Sequence, residues 1–323
     1  MQTDIANRYG KQAEILAKNP SITISYKNSL KRKLYQLQDG SKLAYQEYGQ
    51  ADGFPLFYFH STGSSRLECE FFSRSASRLG FRLIAVDRPG IGYSDFKSQL
   101  HVEDFAGNLL ELATGLGLDR FGLMSFSTGG IFALATSIKA PERVAFHLSL
   151  SGIPGNLLQE STRRSTSYTA HLVRSLLPSC IRLFTRLRHA LTLSDPGEYL
   201  ERLQDILCYT DRKVLTDPKF MQILESSLAE SLRQGIDGVA QDTGICFTDP
   251  GFALEDIQVP VYIWQGSADN LSSPALGEYL AAHIPQACFH SVAHRGHFFF
   301  IHCMDEIFSR VKFHTVNLQH AAA

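Results

Sequence analysis

With 323 residues, the chain is long enough to bury one α/β core and to carry a sizeable insertion. Its 31 basic and 32 acidic residues give a formal net charge of −1, which provides no broad field to attract nucleic acid or an anionic membrane. A hydrophobic content of 44% is typical of a soluble globular protein, and no apolar stretch approaches the ~18 residues of a membrane-spanning helix. We therefore expect no nucleic-acid partner and no membrane span.

Residues 1–30 are expected to form an N-terminal extension ahead of the first strand. Ile5 to Leu16 has a loosely helical pattern, and the start of the chain lacks the apolar region of a secretory signal. The six cysteines are scattered without any Cys-x-x-Cys pair, so the sequence has no zinc or redox motif of that kind. These features predict a cytoplasmic protein with reduced thiols.

The chain then alternates short apolar strands with helical patterns. Leu34 to Tyr48 alternates around Asp39-Gly40, which is a hairpin signal. Further strands are predicted from Leu56, Phe81, Phe121, Val144, Val259 and Cys288, with helices at 68–79, 102–116 and 130–139. This alternation indicates a mostly parallel sheet with helices on both faces, built from residues 31–153 and 257–323.

A glycine-rich turn follows the strand that begins at Phe81. Gly90 and Gly92 allow a tight turn that other residues adopt with difficulty, and we expect Asp87 and Arg88 to be held by backbone hydrogen bonds or an ion pair. The Gly-x-Gly pair is not a dinucleotide loop, because no third glycine stands at the required offset and no helix opens on it.

Ser127 stands where an apolar strand pattern breaks into small residues and then into a helical pattern. A serine raised on a sharp strand-to-helix turn adopts strained backbone angles and needs small residues two positions to either side. Gly129 meets this demand, whereas Ser125 meets it only in part. The segment therefore predicts a nucleophile elbow, with an ordinary turn as the alternative.

Residues 154–256 separate two predicted strands and are too long for a structureless loop. Apolar residues recur at helical spacing at 172–191, 199–207 and 220–232. We therefore predict a helical cap over the site. Its stretch from Arg163 to His189 contains no acid and could hold an anionic substrate tail or an acidic partner; we favour a solvated helix face, since Arg182, Arg186 and His189 share one side.

Two further candidates follow the last strands. Asp269 comes just after a strand and a Gly-Ser turn, where open α/β sheets place their sites, although a turn aspartate bonded to its own backbone fits equally. His297 follows a glycine in the loop between the last strand and the last helix, from which its ring can reach over the sheet. His294 and His302 are its nearby rivals.

These motifs, in this order, resemble the α/β-hydrolase superfamily. The layout is similar to that of the capped branch with proline iminopeptidases, epoxide hydrolases and haloalkane dehalogenases, although the last two need an aspartate where this chain has Ser127. The loop from His60 is similar to the family's His-Gly-x-Pro-Gly signature, with Ser61 in place of glycine and Gly63 in place of proline. The resemblance implies an α/β fold with an eight-stranded sheet and a helical cap after strand six.

The resemblance also implies roles for individual residues. Ser127 is the expected nucleophile, His297 its general base and Asp269 the acid that orients the base. The backbone N–H groups of Thr62 and Thr128 are the expected oxyanion hole. Residues expected to line the substrate pocket are His60, Ser61 and Phe126. No metal and no organic cofactor is called for.

The predicted function is hydrolysis of an ester, lactone or thioester of a small, largely apolar substrate through an acyl-enzyme. Three alternatives stay open from the sequence: an aminopeptidase of the proline iminopeptidase type, an acyltransferase, and a ligand-binding member of the fold without turnover. The expected partner is a small acyl substrate, and the chain is expected to be a monomer or a homodimer.

Overall fold

The computed structural model describes residues 32–98, 100–154, 203–245 and 248–321. The predicted N-terminal extension, the helical pattern at 172–191 and the Arg-rich stretch from Arg163 to His189 lie outside the described residues. The sheet, the helices that flank it and the second half of the insertion are within them.

Eight strands form one sheet in the order β1-β2-β4-β3-β5-β6-β7-β8. They are β1 (Lys33–Gln36), β2 (Lys42–Gly49), β3 (Phe54–Phe59), β4 (Phe81–Val86), β5 (Phe121–Phe126), β6 (Val144–Leu150), β7 (Val261–Gly266) and β8 (Ala287–Val292). β2 runs antiparallel to both of its neighbours, and all other neighbouring strands are parallel. The predicted eight-stranded, mostly parallel sheet is confirmed.

The register of the central strands brings their carboxyl ends to one edge of the sheet. Ser125 of β5 lies between Phe59 of β3 and Ser149 of β6, and Leu150 of β6 lies beside Trp264 of β7. Both β5 and β6 are buried along their whole length, which explains their continuous apolar sequences. The loops that follow these strands therefore meet above the same edge, where α/β sheets form their sites.

Helices cover both faces of the sheet, as predicted. The described helices are α1 (Glu70–Leu79), α2 (Val102–Gly115), α3 (Gly129–Lys139), α4 (Tyr209–Val214), α5 (Pro218–Ser231), α6 (Asp237–Ile245), α7 (Pro274–His283) and α8 (Met304–Ala321). One apolar cluster packs α2, α3 and α7 on the sheet, and a second packs α1 and α8 on the opposite face. Among the described helices, none combines the length and apolar character needed to cross a bilayer.

The insertion between β6 and β7 contributes α4, α5 and α6. The apolar pattern predicted at 220–232 lies mostly within α5, whose Phe220 and Leu228 are buried. Asp217 caps this helix by accepting hydrogen bonds from the N–H groups of Lys219 and Phe220. The described half of the insertion is thus helical, while the predicted cap boundaries at 154 and 256 stay a prediction.

Buried polar contacts attach the cap helices to the core. Arg88 of the core binds Asp242 of α6 through two hydrogen bonds of 2.5 and 2.7 Å, and it also donates to the His60 carbonyl. Arg66 binds Asp87 at 2.5 Å and Glu230 of α5 at 2.7 Å. Asp87 is thus paired with Arg66, and Arg88 with Asp242, so each is held in an ion pair as predicted. Arg66 and Arg88 of the core each bind one buried carboxylate of the cap.

Replacing Asp242 by Asn should destabilise the protein by about 3–5 kcal/mol, because the Arg88 guanidinium would stay buried without its counter-charge. Urea unfolding measures this loss. Glu306→Gln is the control, since it breaks an exposed i,i+4 pair with Arg310 and should cost less than about 1 kcal/mol. Equal losses in the two variants would contradict the assignment of Arg88 and Asp242 as a cap anchor.

Candidate active site

Ser127 lies on the turn between β5 and α3. Its φ of 53° is in the left-handed region, which is rare for a residue with a side chain. The Ser127 N–H donates to the Leu150 carbonyl at 2.9 Å, so the strained turn is fixed to the end of β6. A Cβ at Gly129 would collide with the Phe59 carbonyl oxygen, which explains why the position after the turn is glycine.

Ser125, the departure from the usual elbow glycine, points away from the site. Its hydroxyl lies 2.8 Å from Nε2 of His147 on β6, and both residues are fully buried. Burial lowers the pKa of His147 to about 3, so this imidazole is neutral at physiological pH. The hydroxymethyl group that Ser125 has in place of the usual glycine is thus accommodated by a hydrogen bond between β5 and β6, and it does not contact Ser127 through a hydrogen bond.

Asp269, in the loop after β7, uses its two carboxylate oxygens differently. Oδ1 accepts hydrogen bonds from the N–H groups of Leu271 and Ser272, both at 2.9 Å. Oδ2 faces Nδ1 of His297 at 2.8 Å. The two sequence interpretations, a turn aspartate and a partner for histidine, therefore both apply, one to each oxygen.

Two further side chains donate to Oδ2 of Asp269. Ser151 Oγ lies at 2.8 Å and Gln265 Nε2 at 2.9 Å. Burial would raise the pKa of Asp269, but the facing His297 and the hydrogen bonds from the Ser272 N–H and the Ser151 hydroxyl hold it below its ordinary value, so the carboxylate stays ionised. Sequence reasoning missed Ser151; its place directly after β6, at the site edge of the sheet, is the signal that could have found it.

His297 is buried, and its ring orientation is set by Asp269. Since Nδ1 is bonded to the carboxylate, this nitrogen carries the proton and Nε2 is left as the basic atom. The ring lies 4.7 Å from that of Phe126, measured between centroids. His294 and His302 are not among the residues that line the cavity at Ser127, whereas His297 is.

Ser127 and His297 face the same cavity. Within the described part of the chain, no hydrogen bond joins Ser127 Oγ to the imidazole. The structure joins His297 to Asp269 and places His297 and Ser127 on one cavity, while the action of the three residues as a triad stays a prediction.

The two residues of the predicted oxyanion hole are in direct contact. The N–H of Thr62 donates to Oγ1 of Thr128 at 2.6 Å, and the Thr62 hydroxyl lies 2.9 Å from the same oxygen. The Thr128 side chain thus occupies the acceptor position of the Thr62 N–H. That these two N–H groups bind an oxyanion stays a prediction.

A buried glutamate fixes the loop that carries Thr62. Glu68 accepts a hydrogen bond from the Ser61 N–H at 2.8 Å, from the Ser61 hydroxyl at 2.5 Å and from the Tyr58 hydroxyl at 2.6 Å. The serine that replaces the family glycine therefore has a defined partner, which sequence reasoning missed. Nothing in the spacing of Glu68 distinguishes it from an ordinary acid at a helix start.

His60 does not line the pocket as predicted. It is fully buried beneath the loop, with Nδ1 2.8 Å from the Ser61 carbonyl and Nε2 near the Arg88 N–H. Burial and the nearby Arg88 lower the pKa of His60 well below its ordinary value, so it is a neutral structural group. Ser61 and Phe126, the other two predicted pocket residues, do face the cavity.

The cavity at Ser127 has a volume of about 130 Å³. The apolar residues described in its wall are Phe71, Phe126, Leu203, Leu224, Leu228, Leu271 and Phe298. The polar ones are Ser61, Thr62, Ser64, Glu68, Ser127, Thr128 and His297. Three of the leucines come from the insertion, so the cap forms part of the wall.

Comparison with known proteins shows the family to which the chain belongs. The sequence pattern of the family described as alpha/beta hydrolase fold matches residues 54–302. The chain belongs to this family. The match covers every strand from β3 to β8 and the loops that carry Ser127, Asp269 and His297.

Several α/β hydrolases of known name are similar to the chain. A 2-hydroxy-6-oxononadienedioate/2-hydroxy-6-oxononatrienedioate hydrolase from Cupriavidus pinatubonensis is 26% identical over 74% of this chain and 78% of its own length. A proline iminopeptidase from Lacticaseibacillus rhamnosus is 24% identical over 79% of this chain and 90% of its own. The solved esterase from Exiguobacterium antarcticum has a TM-score of 0.65 at 19% identity, covering 90% of this chain and 99% of its own, which supports the fold.

His147 should make the stability of the protein depend on pH. Between pH 7 and pH 5 we expect a loss of about 2 kcal/mol from this residue, because the unfolded chain takes up a proton near its ordinary pKa while the folded imidazole stays neutral until about pH 3. Urea unfolding at pH 7, 6 and 5 measures it. His147→Gln should show a correspondingly smaller loss over this range; identical losses in both proteins would contradict the prediction.

Proposed function

We propose that the protein is a serine hydrolase that cleaves an ester-type bond of a small, largely apolar acyl substrate. The observation that carries this proposal is the 2.8 Å contact between Oδ2 of Asp269 and Nδ1 of His297 in a cavity shared with Ser127. The Asp269 bond uses Nδ1 of the imidazole and leaves Nε2 outside it, and the strained Ser127 lies in the wall of the same cavity. A strained serine and a buried imidazole oriented by a carboxylate, both on one cavity, support nucleophilic acyl transfer.

In the proposed reaction, His297 accepts the Ser127 proton through Nε2 while the hydroxyl attacks the acyl carbonyl. Asp269 stabilises the imidazolium through Nδ1 and keeps the ring in place. The imidazolium then protonates the leaving alcohol, and an acyl-enzyme on Ser127 remains. Water that loses its proton to His297 then attacks the acyl-enzyme. The imidazolium returns that proton to Ser127 Oγ as the acyl–oxygen bond breaks, which releases the acid and restores the serine.

The N–H groups of Thr62 and Thr128 are proposed to bind the negatively charged oxygen of the tetrahedral intermediate. Thr128 directly follows the nucleophile at the start of α3, and Thr62 lies on the loop that Glu68 fixes. The Thr128 hydroxyl leaves the Thr62 N–H when the oxyanion forms. Each donor is expected to contribute on the order of 10²- to 10³-fold in rate.

The cavity favours a compact, uncharged acyl group. A dry cavity of about 150 Å³ accommodates benzene, and the cavity here measures about 130 Å³, with seven apolar side chains among the described residues of its wall. Among the described residues that line it there is no Lys or Arg. The dioate named for the Cupriavidus relative carries two carboxylates, so this wall fits an ester of a short apolar acid better.

Glu68 bears on the aminopeptidase alternative. A peptide with a free N-terminus needs an acid to hold its ammonium group, and Glu68 is the carboxylate in the described cavity wall. Both of its oxygens already accept hydrogen bonds from Tyr58 or Ser61, which uses them for the loop. The arrangement therefore supports an ester substrate over an aminoacyl amide.

Ser127→Ala should reduce hydrolysis of p-nitrophenyl acetate by about 10⁶-fold, because the attacking oxygen is removed. Ser125→Ala is the matched control and should retain most activity, since its hydroxyl bonds to His147. A fluorophosphonate probe should label wild type and Ser125→Ala, and should not label Ser127→Ala. Well-folded wild type that neither turns over nor takes the label would instead favour a ligand-binding protein.

Acyl chain length should strongly affect the rate. The ratio kcat/KM for p-nitrophenyl butyrate should exceed that for the laurate by at least about tenfold, because a twelve-carbon chain does not fit a cavity of about 130 Å³. Leu228→Ala, which removes a buried cap side chain from the wall, should narrow this gap. Leu232→Ala, at the end of the same helix and outside the wall, should leave it unchanged; a gap unaffected by Leu228→Ala would argue against acyl binding here.

The same panel, run with added alcohols, tests the acyltransferase alternative. A hydrolase releases mainly free acid, whereas a transferase passes the acyl group to the added alcohol. Product analysis by chromatography distinguishes the two outcomes.

A further inference from the structure

One segment of the cap contacts both loops that carry the acid and the base. The N–H of Cys208 donates to Oδ1 of Asn270, the residue after Asp269, at 3.1 Å. Nδ2 of Asn270 donates in return to the Ile206 carbonyl at 2.5 Å. This reciprocal pair joins residues 206–208 of the insertion to the loop after β7.

Asp211, three residues further along in α4, reaches the loop of the histidine. Its Oδ2 accepts a hydrogen bond from the backbone N–H of His297 at 2.7 Å, and its Oδ1 accepts one from the N–H of Phe298 at 3.0 Å. The carboxylate is almost completely buried, at 1% exposure. The carboxylate thus holds the backbone of two consecutive residues of this loop, one with each oxygen.

The sequence of the histidine loop fits this contact. A Cβ at Gly296 would collide with the Asp211 carboxylate and with the Cys208 sulfur. The φ of Gly296 is not in the left-handed region, so backbone conformation does not require a glycine here. The close approach of the cap side chains does require it. The backbone of the histidine loop therefore packs closely against residues 208–211 at this point.

We propose that Asp211 is a positioning residue for the general base, an inference that rests on the proposed hydrolase function. Asp269 sets the rotation of the imidazole through Nδ1, while Asp211 holds the backbone from which the ring extends. The side chain of Asp211 acts through His297 and is not one of the residues that line the cavity. A misplacement of about 1 Å in a catalytic group can reduce the rate by about 10²-fold.

The test compares Asp211→Asn with Asp217→Asn. Both replace a cap aspartate that accepts two backbone N–H groups, and both remove one negative charge. Asp217 accepts both hydrogen bonds with one oxygen, and an asparagine there keeps that oxygen and both bonds. Asp211 accepts one bond with each oxygen, and an asparagine there has only one oxygen and must lose one of the bonds. Only Asp211→Asn should therefore release the histidine loop.

Three readouts separate positioning from a general loss of structure. For p-nitrophenyl acetate, Asp211→Asn should lower kcat by about 10- to 10²-fold with KM within about twofold of wild type. The rate of fluorophosphonate labelling should fall in parallel. Hydrogen exchange at the amides of His297 and Phe298 should become faster, because one of them loses its acceptor. Asp217→Asn should match wild type in all three.

The inference is wrong if Asp211→Asn keeps the wild-type kcat, if KM changes in place of kcat, or if loop exchange does not change. Any of these results in an active wild-type protein leaves the proposed function intact. A folded wild type without turnover and without labelling overturns the function itself and, with it, a role for Asp211 in catalysis. The exchange experiment then still shows whether α4 holds this loop.

Discussion

The site depends on how one buried carboxylate divides its hydrogen bonds. Asp269 satisfies its first oxygen with two backbone N–H groups of its own loop, which fixes the carboxylate without any other element. The second oxygen is then available to hold an imidazole from a different loop. Because Ser151 and Gln265 donate to that same oxygen, the ends of β6 and β7 are joined at the point where the acid meets the base.

Cap and core are connected by buried polar groups as well as by apolar packing. Arg66 and Arg88 hold Glu230 and Asp242, and Asp211 binds the histidine loop, so carboxylates of α4, α5 and α6 each contact a different part of the core. Hydrogen bonds and ion pairs depend on direction, whereas the packing of leucine side chains does not. These polar contacts therefore fix the position of the cap helices, and with it the size of the cavity that the cap leucines line.

Local sequence was sufficient to predict the framework of strands and helices and the strained turn at Ser127. Strand patterns, the Asp39-Gly40 hairpin and the small residues around Ser127 are short-range signals, and each corresponds to an element of the structure. Glu68 and Asp211 could not be found in this way, because their partners lie elsewhere in the chain and an isolated acid on a helix resembles a solvent-exposed one. The prediction that His60 lines the pocket was wrong for a related reason, because a polar residue in a loop can still be buried.

The contact between Thr128 and Thr62 has a consequence for selectivity. Before substrate arrives, the amide proton of Thr62 is already satisfied by a neutral hydroxyl oxygen. Exchanging that oxygen for the equally neutral carbonyl of a bound ester gains little free energy, whereas exchanging it for an alkoxide gains a charge-assisted bond. In the proposed oxyanion hole, this donor would therefore add little to the binding of the neutral ester and more to the binding of the charged intermediate.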